Sequence, residues 1–245
     1  MTWIGTSVSN VLNKDKFEKD LDVKLSMVKA YCIDEEKDAK FKDKAFKCVV
    51  PKTVDEIDTD ILILQTGSIE ITDMKINEAL LDTSKNLNEY KKEWFNKVEE
   101  DSLKLFGIAE EALVRNKDIK KVIIVKRLPR YDRSSKDILQ IKSQMSSFGN
   151  TVYDQIWQKK GSPENIQVIE IYLKCSSSTY LKELIFGNAA SSSFDGIHLR
   201  GKAATQHFTY RAIGAIKNTL FSENSQPHVF KQTSPSYQQS KQSPA

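Results

Sequence analysis

The sequence feature that most constrains the fold is the alternation of short β-branched runs with longer segments of helical period. Two of these runs, Ile61 to Leu64 and Val122 to Val125, are apolar without interruption, which is typical of strands that are covered on both faces. Segments long enough to form helices separate the runs, and such connections join parallel strands. The pattern therefore predicts an α/β fold, a three-layer α/β/α sandwich with a five-stranded parallel sheet in flavodoxin-like order.

Hydrophobic periodicity locates the individual elements. The predicted strands are Thr2 to Ile4, Val23 to Ile33, Ile61 to Gln65, Val122 to Val125 and Ile166 to Leu173. The predicted helices are Asn86 to Arg115, Ile138 to Gln158 and Ala203 to Leu220, each with an apolar stripe among charged residues. Residues 34 to 60 carry charges of both signs and are predicted to hold a short helix or an extended loop.

A change in composition divides the chain near residue 221. Residues 222 to 245 are rich in Ser, Gln and Pro and contain few aliphatic side chains, so they cannot bury enough apolar surface to offset the entropy of ordering. We expect one α/β domain over residues 1 to 221 and a disordered tail over residues 222 to 245. The abrupt N-terminal strand and this C-terminal composition leave open that the domain belongs to a larger polyprotein or a mobile-element product.

Overall composition points to a soluble protein. The chain has 245 residues, of which 39% are hydrophobic and 29% charged, as in globular domains with a substantial core. A net charge of +4 is too small to imply nucleic-acid binding by itself. No signal peptide is recognisable, and no window reaches the roughly 18 apolar residues of a membrane span. The expected location is cytoplasmic.

The sequence gives no support for a metal or a cofactor. Its three cysteines, Cys32, Cys48 and Cys175, are widely spaced and include no C-x-x-C pair, so neither a disulfide framework nor a zinc site is indicated. The three histidines form no H-x-x-x-H pattern. No cofactor and no metal are expected.

Candidate catalytic residues follow the predicted strands. Ligands of open parallel sheets bind at the carboxyl ends of the strands, where Gly5-Thr6-Ser7 follows the first strand and Gly67-Ser68-Ile69-Glu70 the third; Asp195-Gly196-Ile197-His198 precedes the last helix. A serine can act as a nucleophile when an imidazole removes its proton and a carboxylate orients that imidazole. Taken singly, each motif also fits a helix N-cap or a turn.

Taken together, the three motifs resemble those of the SGNH (GDSL-like) hydrolases, small α/β esterases and acetylesterases, over most of the chain from Ile4 to about Leu220. Gly5-Thr6-Ser7 stands where the family has Gly-Asp-Ser, residues 64 to 70 where it has Gly-x-Asn-Asp, and residues 195 to 198 where it has its closing Asp-x-x-His. The resemblance implies that Ser7 is the nucleophile, His198 the general base and Asp195 its orienting carboxylate. It also implies a small-molecule, carbohydrate or lipid ester as substrate.

Two departures from the family pattern concern the oxyanion hole. Ile69 occupies the position of the family's asparagine, and the stretch Tyr31-Cys32-Ile33-Asp34 lacks the family's glycine. Loss of one such donor typically lowers the rate on the order of a hundredfold or more. Gly67, Ser68 and Glu70 are expected to shape this part of the site. The backbone N–H of the serine, a non-glycine backbone amide or Ser68 can replace part of the missing donation.

A basic run offers a different interpretation. Between Arg115 and Arg133 there are eight Lys or Arg residues against two Asp, and Arg127 and Arg130 are predicted to reach the same crevice, where they would bind an anionic group. The run also fits an ordinary solvated surface. Two functions therefore stay open from sequence: a serine ester hydrolase of reduced activity, or a catalytically degenerate module that binds an anionic partner such as RNA.

Overall fold

The computed structural model describes residues 1–5, 11–29, 54–65, 87–128, 136–171 and 199–221. The elements within these residues are, in chain order, β1 (Thr2–Gly5), α1 (Lys14–Leu21), β2 (Ser26–Lys29), β3 (Ile61–Gln65), α2 (Leu87–Arg115), β4 (Lys121–Val125), α3 (Lys136–Lys159), β5 (Ile166–Ile169) and α4 (Gly201–Phe221).

The five strands form one sheet in the order β2-β1-β3-β4-β5, and every neighbouring pair is parallel. The register aligns the ends of the central strands, with Gly5 beside Gln65 and Leu64 beside Ile124. The carboxyl ends of β1, β3 and β4 consequently lie along a single edge of the sheet. The predicted α/β sandwich with a parallel, flavodoxin-like sheet is confirmed.

Alternating side chains of the strands form two separate apolar clusters, one on each face of the sheet. Trp3, Ile63 and Ile123 pack with residues of α1 and α4, among them Phe17 and Phe208. Their neighbours along the strands point the other way and pack with residues of α2 and α3, namely Ile4, Leu62, Leu64, Val122 and Ile124 with Leu105, Phe106, Ala109, Val152 and Tyr153. We call the two sides the α1/α4 face and the α2/α3 face.

Sequence and structure agree best where the apolar runs are uninterrupted. The bounds of β3 are those predicted, and β4 begins one residue earlier, at Lys121. β2 begins at Ser26 rather than at Val23, while β5 ends at Ile169. Residues 30–33, 172 and 173, which complete these two predicted strands, lie outside the described residues, as does the predicted tail at residues 222–245.

Helix α1 was not delimited by the sequence, because its eight residues offer only Phe17 and Leu21 to the core. Its start is nevertheless well defined: the side chain of Asn13 accepts a hydrogen bond from the Lys16 backbone N–H at 3.0 Å, as an N-cap residue does. The N-cap of α1 is therefore Asn13, while Ser7 lies outside the described residues. The helix ends at Asp22, whose φ of 54° is left-handed.

None of the helices in the described part of the chain is long and apolar enough to span a membrane.

Candidate active site at the carboxyl edge of the sheet

The predicted triad, Ser7, Asp195 and His198, lies outside the described residues. The same holds for the residues predicted to shape the oxyanion region, Gly67, Ser68, Ile69 and Glu70, and for Arg130. The structure describes the residues that flank these motifs. These residues fix the points at which the motifs are joined to the strands and helices.

Two of the motifs start from adjacent points. Gly5 ends β1 and pairs with Gln65, which ends β3. Ser7 follows Gly5 by two residues and Gly67 follows Gln65 by two, and a chain extends at most about 3.6 Å per residue. The Cα atoms of Ser7 and Gly67 are thus within roughly 7 Å of a described strand end.

The third motif is anchored from its C-terminal side. Leu199, the residue after His198, is buried and belongs to the same apolar cluster as Trp3 and Leu12. Two residues later Gly201 opens α4 with a φ of 80°, a conformation that glycine adopts without steric cost. The chain next to His198 is therefore attached to the α1/α4 face, on which Trp3 of β1 also packs.

A hydrogen bond joins the two helices of this face. The backbone N–H of Asn13, just before α1, donates to the Thr209 Oγ1 of α4 at 2.9 Å, and Thr209 is completely buried. The segment that contains Ser7 is held at one end by Gly5 in the sheet and at the other by this bond. His207 lies in α4.

A buried glutamine ends β3. Gln65 is 7% exposed and accepts, through Oε1, a hydrogen bond of 3.2 Å from the Trp3 indole N–H. The Trp3 ring itself makes aromatic contacts with Phe17 and Phe208, at centroid distances of 6.0 and 6.3 Å. The sequence pattern predicts only that a strand ends at Gln65. The signal for a buried polar contact is that this polar residue follows a run of four aliphatic residues.

Arg127 follows β4, and α3 fixes its backbone. The Asn150 side chain accepts from the Arg127 N–H at 2.9 Å and donates to the Arg127 carbonyl at 3.2 Å. This pair of bonds ties the exit of β4 to the middle of α3, so residue 127 has a defined place at the carboxyl edge.

The Arg127 side chain packs between the helices of the α2/α3 face. Its guanidinium carbon lies 5.2 Å from the centre of the Tyr153 ring, and a Cβ built on Gly149 would fall 1.4 Å from its Nη1 atom. The guanidinium therefore occupies the space that the glycine leaves open. Its three nitrogen atoms are buried and have no hydrogen-bond partner in the described structure. Anion binding by Arg127 stays a prediction.

The basic run is divided by β4. Arg115, Lys117 and Lys120 precede the strand, whereas Lys126 and Arg127 follow it, and five residues of strand span about 16 Å. Arg115 also lies 3.2 Å from Glu111, and the Lys126 ammonium 2.6 Å from Asp154. The local charge excess counted along the sequence is thus distributed over two opposite edges of the sheet, and the described residues give no support for nucleic-acid binding.

A polar groove of about 500 Å³ lies at the amino edge of the sheet, opposite the candidate site. It is lined by residues 55–58 and 115–118, and a hydrogen bond of 2.8 Å from the Asn116 side chain to the Ile57 carbonyl joins these two segments. Because ligands of parallel sheets bind at the carboxyl edge, we do not assign the reaction to this groove. The described residues contain no cluster of His, Cys, Asp or Glu that could hold a metal ion.

Comparison with solved structures gives the fold. Phospholipase A1 from Streptomyces albidoflavus NA297 matches with a TM-score of 0.55 at 9% identity, over 86% of this chain and 96% of that one. The aryl esterase of M. smegmatis matches with a TM-score of 0.53 at 10% identity, over 89% of this chain and 98% of that one. This chain shares the α/β fold of these two enzymes.

A lipase from a goat rumen metagenome, Lip_vut3, matches with a TM-score of 0.50 at 13% identity, over 87% of this chain and 96% of that one. No protein-family model and no curated protein sequence matches the chain. The likeness to these three enzymes is thus one of fold, at identities of 9 to 13%.

Proposed function

We propose that the chain is a serine ester hydrolase of SGNH type that cleaves an acyl or acetyl ester through a covalent intermediate on Ser7. In this proposal His198 is the general base and Asp195 orients its imidazole. The substrate is a small-molecule, carbohydrate or lipid ester, and the reaction takes place at the carboxyl edge of the sheet.

The observation that carries the proposal is the convergence of the described anchors of the triad. Gly5, two residues before Ser7, ends a central strand, and Leu199, directly after His198, packs in the same apolar cluster as Trp3 of that strand. The two ends of the chain are thus attached to one face of one sheet. The SGNH-like fold, shared with a phospholipase A1 and an aryl esterase, favours an ester as the substrate.

The chemistry requires two proton transfers per half-reaction. The Ser7 Oγ attacks the ester carbonyl carbon while the His198 imidazole takes its proton, and the carbonyl π electrons move onto the oxygen. The tetrahedral intermediate then expels the alcohol, which receives the proton from the imidazolium. Water repeats the sequence on the acyl-serine and releases the carboxylic acid. An imidazole suits these steps because its unperturbed pKa lies near neutrality.

The test is hydrolysis of p-nitrophenyl acetate together with labelling by a fluorophosphonate, on the full chain. The wild type is expected to hydrolyse the ester and to become labelled. Ser7→Ala is expected to lose labelling and to lower kcat by a factor on the order of 10⁴ or more, as removal of a nucleophile does in such triads.

Ser9→Ala is the matched control, since it removes a hydroxyl two residues away from the proposed nucleophile. It is expected to keep both activity and labelling. If the folded wild type is not labelled, or if Ser7→Ala is labelled as strongly as the wild type, the proposed function is wrong.

A further inference from the structure

We propose that the outward face of α4 binds the surface of an anionic membrane. We call the central line of this face the α4 stripe, which consists of Ala203, Tyr210, Gly214 and Phe221. Spacings of 7, 4 and 7 residues place these four positions on one side of a helix. Binding of this kind needs no reaction at Ser7 and goes beyond the proposed function.

The α4 stripe is apolar although it is exposed. Tyr210 and Phe221 are 59% and 61% exposed, and Ala203 and Gly214 are exposed as well. A Cβ on Gly214 would meet no atom within 4 Å, so the backbone between the two rings is open to approach. The opposite side of α4 packs in the core of the α1/α4 face. Because a surface helix usually confines its apolar residues to one side, the stripe indicates a contact surface.

The exposed surface of α2 is different in kind. This helix carries the other two large apolar side chains that are exposed in the described structure, Leu103 and Val114. Carboxylates and ammonium groups surround them, and Glu100 pairs with Lys104 at 2.9 Å. Mixed charges of this kind are typical of a solvated helix. The surface of α4 has no such pairs within the helix.

The side-chain charges of α4 all have one sign. The helix contains Lys202, Arg211 and Lys217 and no Asp or Glu, and both lysines are exposed. The stripe from Ala203 to Phe221 is about 27 Å long at the rise of an α-helix, and these cations are distributed along that length. Such a surface complements an extended array of negative charges.

The same charges argue against a second copy of this chain as the partner. In a two-fold symmetric pair one patch contacts the identical patch. Two α4 stripes in contact would bring together two sets of Lys202, Arg211 and Lys217, without a carboxylate from either helix. Like charges across an interface cost binding free energy.

The Tyr210 ring favours a lipid surface over a nucleic acid. The Lys16 ammonium of α1 lies 4.6 Å from the centre of this ring and is paired with Asp20 at 2.8 Å. Single-stranded nucleic acids stack their bases on free aromatic faces, and Lys16 takes up one face of Tyr210. At a membrane interface the apolar body of a tyrosine is buried while its hydroxyl stays among the headgroups, which requires no stacking face.

On a membrane, α4 would lie in the plane of the surface. The rings of Tyr210 and Phe221 would enter the boundary between headgroups and acyl chains. Lys202 and Lys217 would extend their apolar stems along that boundary and place their ammonium groups at the headgroup phosphates.

The test is cosedimentation of the full chain with sucrose-loaded vesicles. The wild type is expected to bind vesicles of phosphatidylcholine with about one third phosphatidylserine at least about tenfold more strongly than vesicles of phosphatidylcholine alone. Raising NaCl from about 0.1 M to about 0.5 M is expected to lower this binding about tenfold, since salt screens the attraction. Ser7→Ala is expected to bind as the wild type does, so binding and hydrolysis are measured independently.

Two variants with matched controls locate the binding surface. The double variant Lys202→Gln and Lys217→Gln is expected to lower the partition coefficient about tenfold or more. Its control is Lys117→Gln with Lys159→Gln, which removes the same charge at exposed positions outside α4 and is expected to change binding less than about threefold. Phe221→Ala is expected to lower binding about fivefold, and Leu103→Ala, at the exposed apolar position of α2, is expected to have no effect.

Four results would overturn the proposal. The first is that the folded wild type does not bind the phosphatidylserine vesicles, and the second is that both double lysine variants lose binding equally, which would assign the attraction to net charge. The third is α4-dependent binding of a single-stranded oligonucleotide without binding of vesicles. The fourth is a dimer in light scattering that dissociates in Phe221→Ala, again without vesicle binding. A wild type that binds vesicles through α4 but hydrolyses no ester would contradict the proposed function alone.

Discussion

The two faces of the sheet handle buried polar groups in different ways. On the α1/α4 face the Trp3 N–H donates to Gln65, and the Thr209 hydroxyl accepts from the backbone of Asn13. On the α2/α3 face the guanidinium of Arg127 and the hydroxyl of Tyr153 are buried and have no hydrogen-bond partner in the part of the chain described. On the first face these bonds join β1 to β3 and the start of α1 to α4. On the second face the Asn150 side chain joins the exit of β4 to α3, while these two polar side-chain groups pack without such bonds among the described residues.

The α1/α4 face, which has the hydrogen bonds from Trp3 and Asn13, is also the face next to the candidate site. A hydrogen bond from a rigid aromatic ring can fix the orientation of an amide, which apolar packing alone cannot do. On the α1/α4 face, Trp3, which donates to Gln65, precedes Ser7 in the chain, and Asn13, which donates to Thr209, follows it. The α2/α3 face contributes mainly the buried area of two long helices. Its cost is the burial of the Arg127 charge, for which the Tyr153 ring provides a cation–π contact.

The largest expected effect concerns the aromatic packing of the α1/α4 face. Phe208→Ala removes a fully buried ring that contacts Trp3, and we expect it to lower the free energy of unfolding by about 3–5 kcal/mol. The measurement is urea denaturation followed by circular dichroism. Tyr210→Ala is the control, since Tyr210 is 59% exposed two residues further along α4, and a loss below about 1 kcal/mol is expected.

Urea denaturation of a second variant tests the difference between the two faces. Tyr153→Phe removes the hydroxyl without a partner from the α2/α3 face, and the free energy of unfolding is expected to stay within about 0.5 kcal/mol of the wild-type value or to rise. A large loss in Tyr153→Phe would show that this hydroxyl is hydrogen-bonded and that the two faces do not differ in the way described.

A smaller effect of opposite sign is expected at Arg127. Replacement by Met removes a buried charge while keeping an unbranched side chain over Gly149, and we expect a gain of about 1 kcal/mol in the free energy of unfolding, after the loss of the cation–π contact is included. Lys126→Met, at the next position, breaks the 2.6 Å ion pair with Asp154 and is expected to lose a few tenths of a kcal/mol. A clear loss in Arg127→Met would mean that the guanidinium has a stabilising partner.

The sequence predicted the sheet well because its central strands are buried on both faces. The four aliphatic residues from Ile61 to Leu64 have no other stable environment in a chain of this composition, and β3 has the predicted bounds. Short amphipathic elements were harder, since α1 shows only two apolar positions. The division of the basic run between two edges follows from the predicted strand at Val122 to Val125, which lies within the run, whereas a count of charges along the chain does not show it.

For the candidate site, the sequence identifies the motifs but does not show the contacts between the residues that flank them. Gly5 and Leu199 could be placed near the site from their neighbours in the motifs, Ser7 and His198. The bond between Trp3 and Gln65 joins residues 62 positions apart, and only the register of β1 against β3 brings them together. Such a pair has no local pattern, so its position at the carboxyl edge emerges from the topology alone.

The smallest expected effect concerns the charged outer surface of the α2/α3 face. It tests whether ion pairs on this surface contribute to the free energy of unfolding. Glu100 of α2 lies between Lys97 and Lys104, at 3.1 and 2.9 Å, and hydrogen bonds from Lys104 and then Lys97 lower the pKa of its carboxyl below the ordinary value. A lowered folded-state pKa contributes stability that is present above the unfolded pKa and is lost as the pH falls through the folded one. Between about pH 5 and pH 3 the wild type should therefore lose a few tenths of a kcal/mol more than Glu100→Gln. Urea midpoints across that range measure the difference, and parallel pH profiles would show that the carboxyl gains nothing from its two lysines.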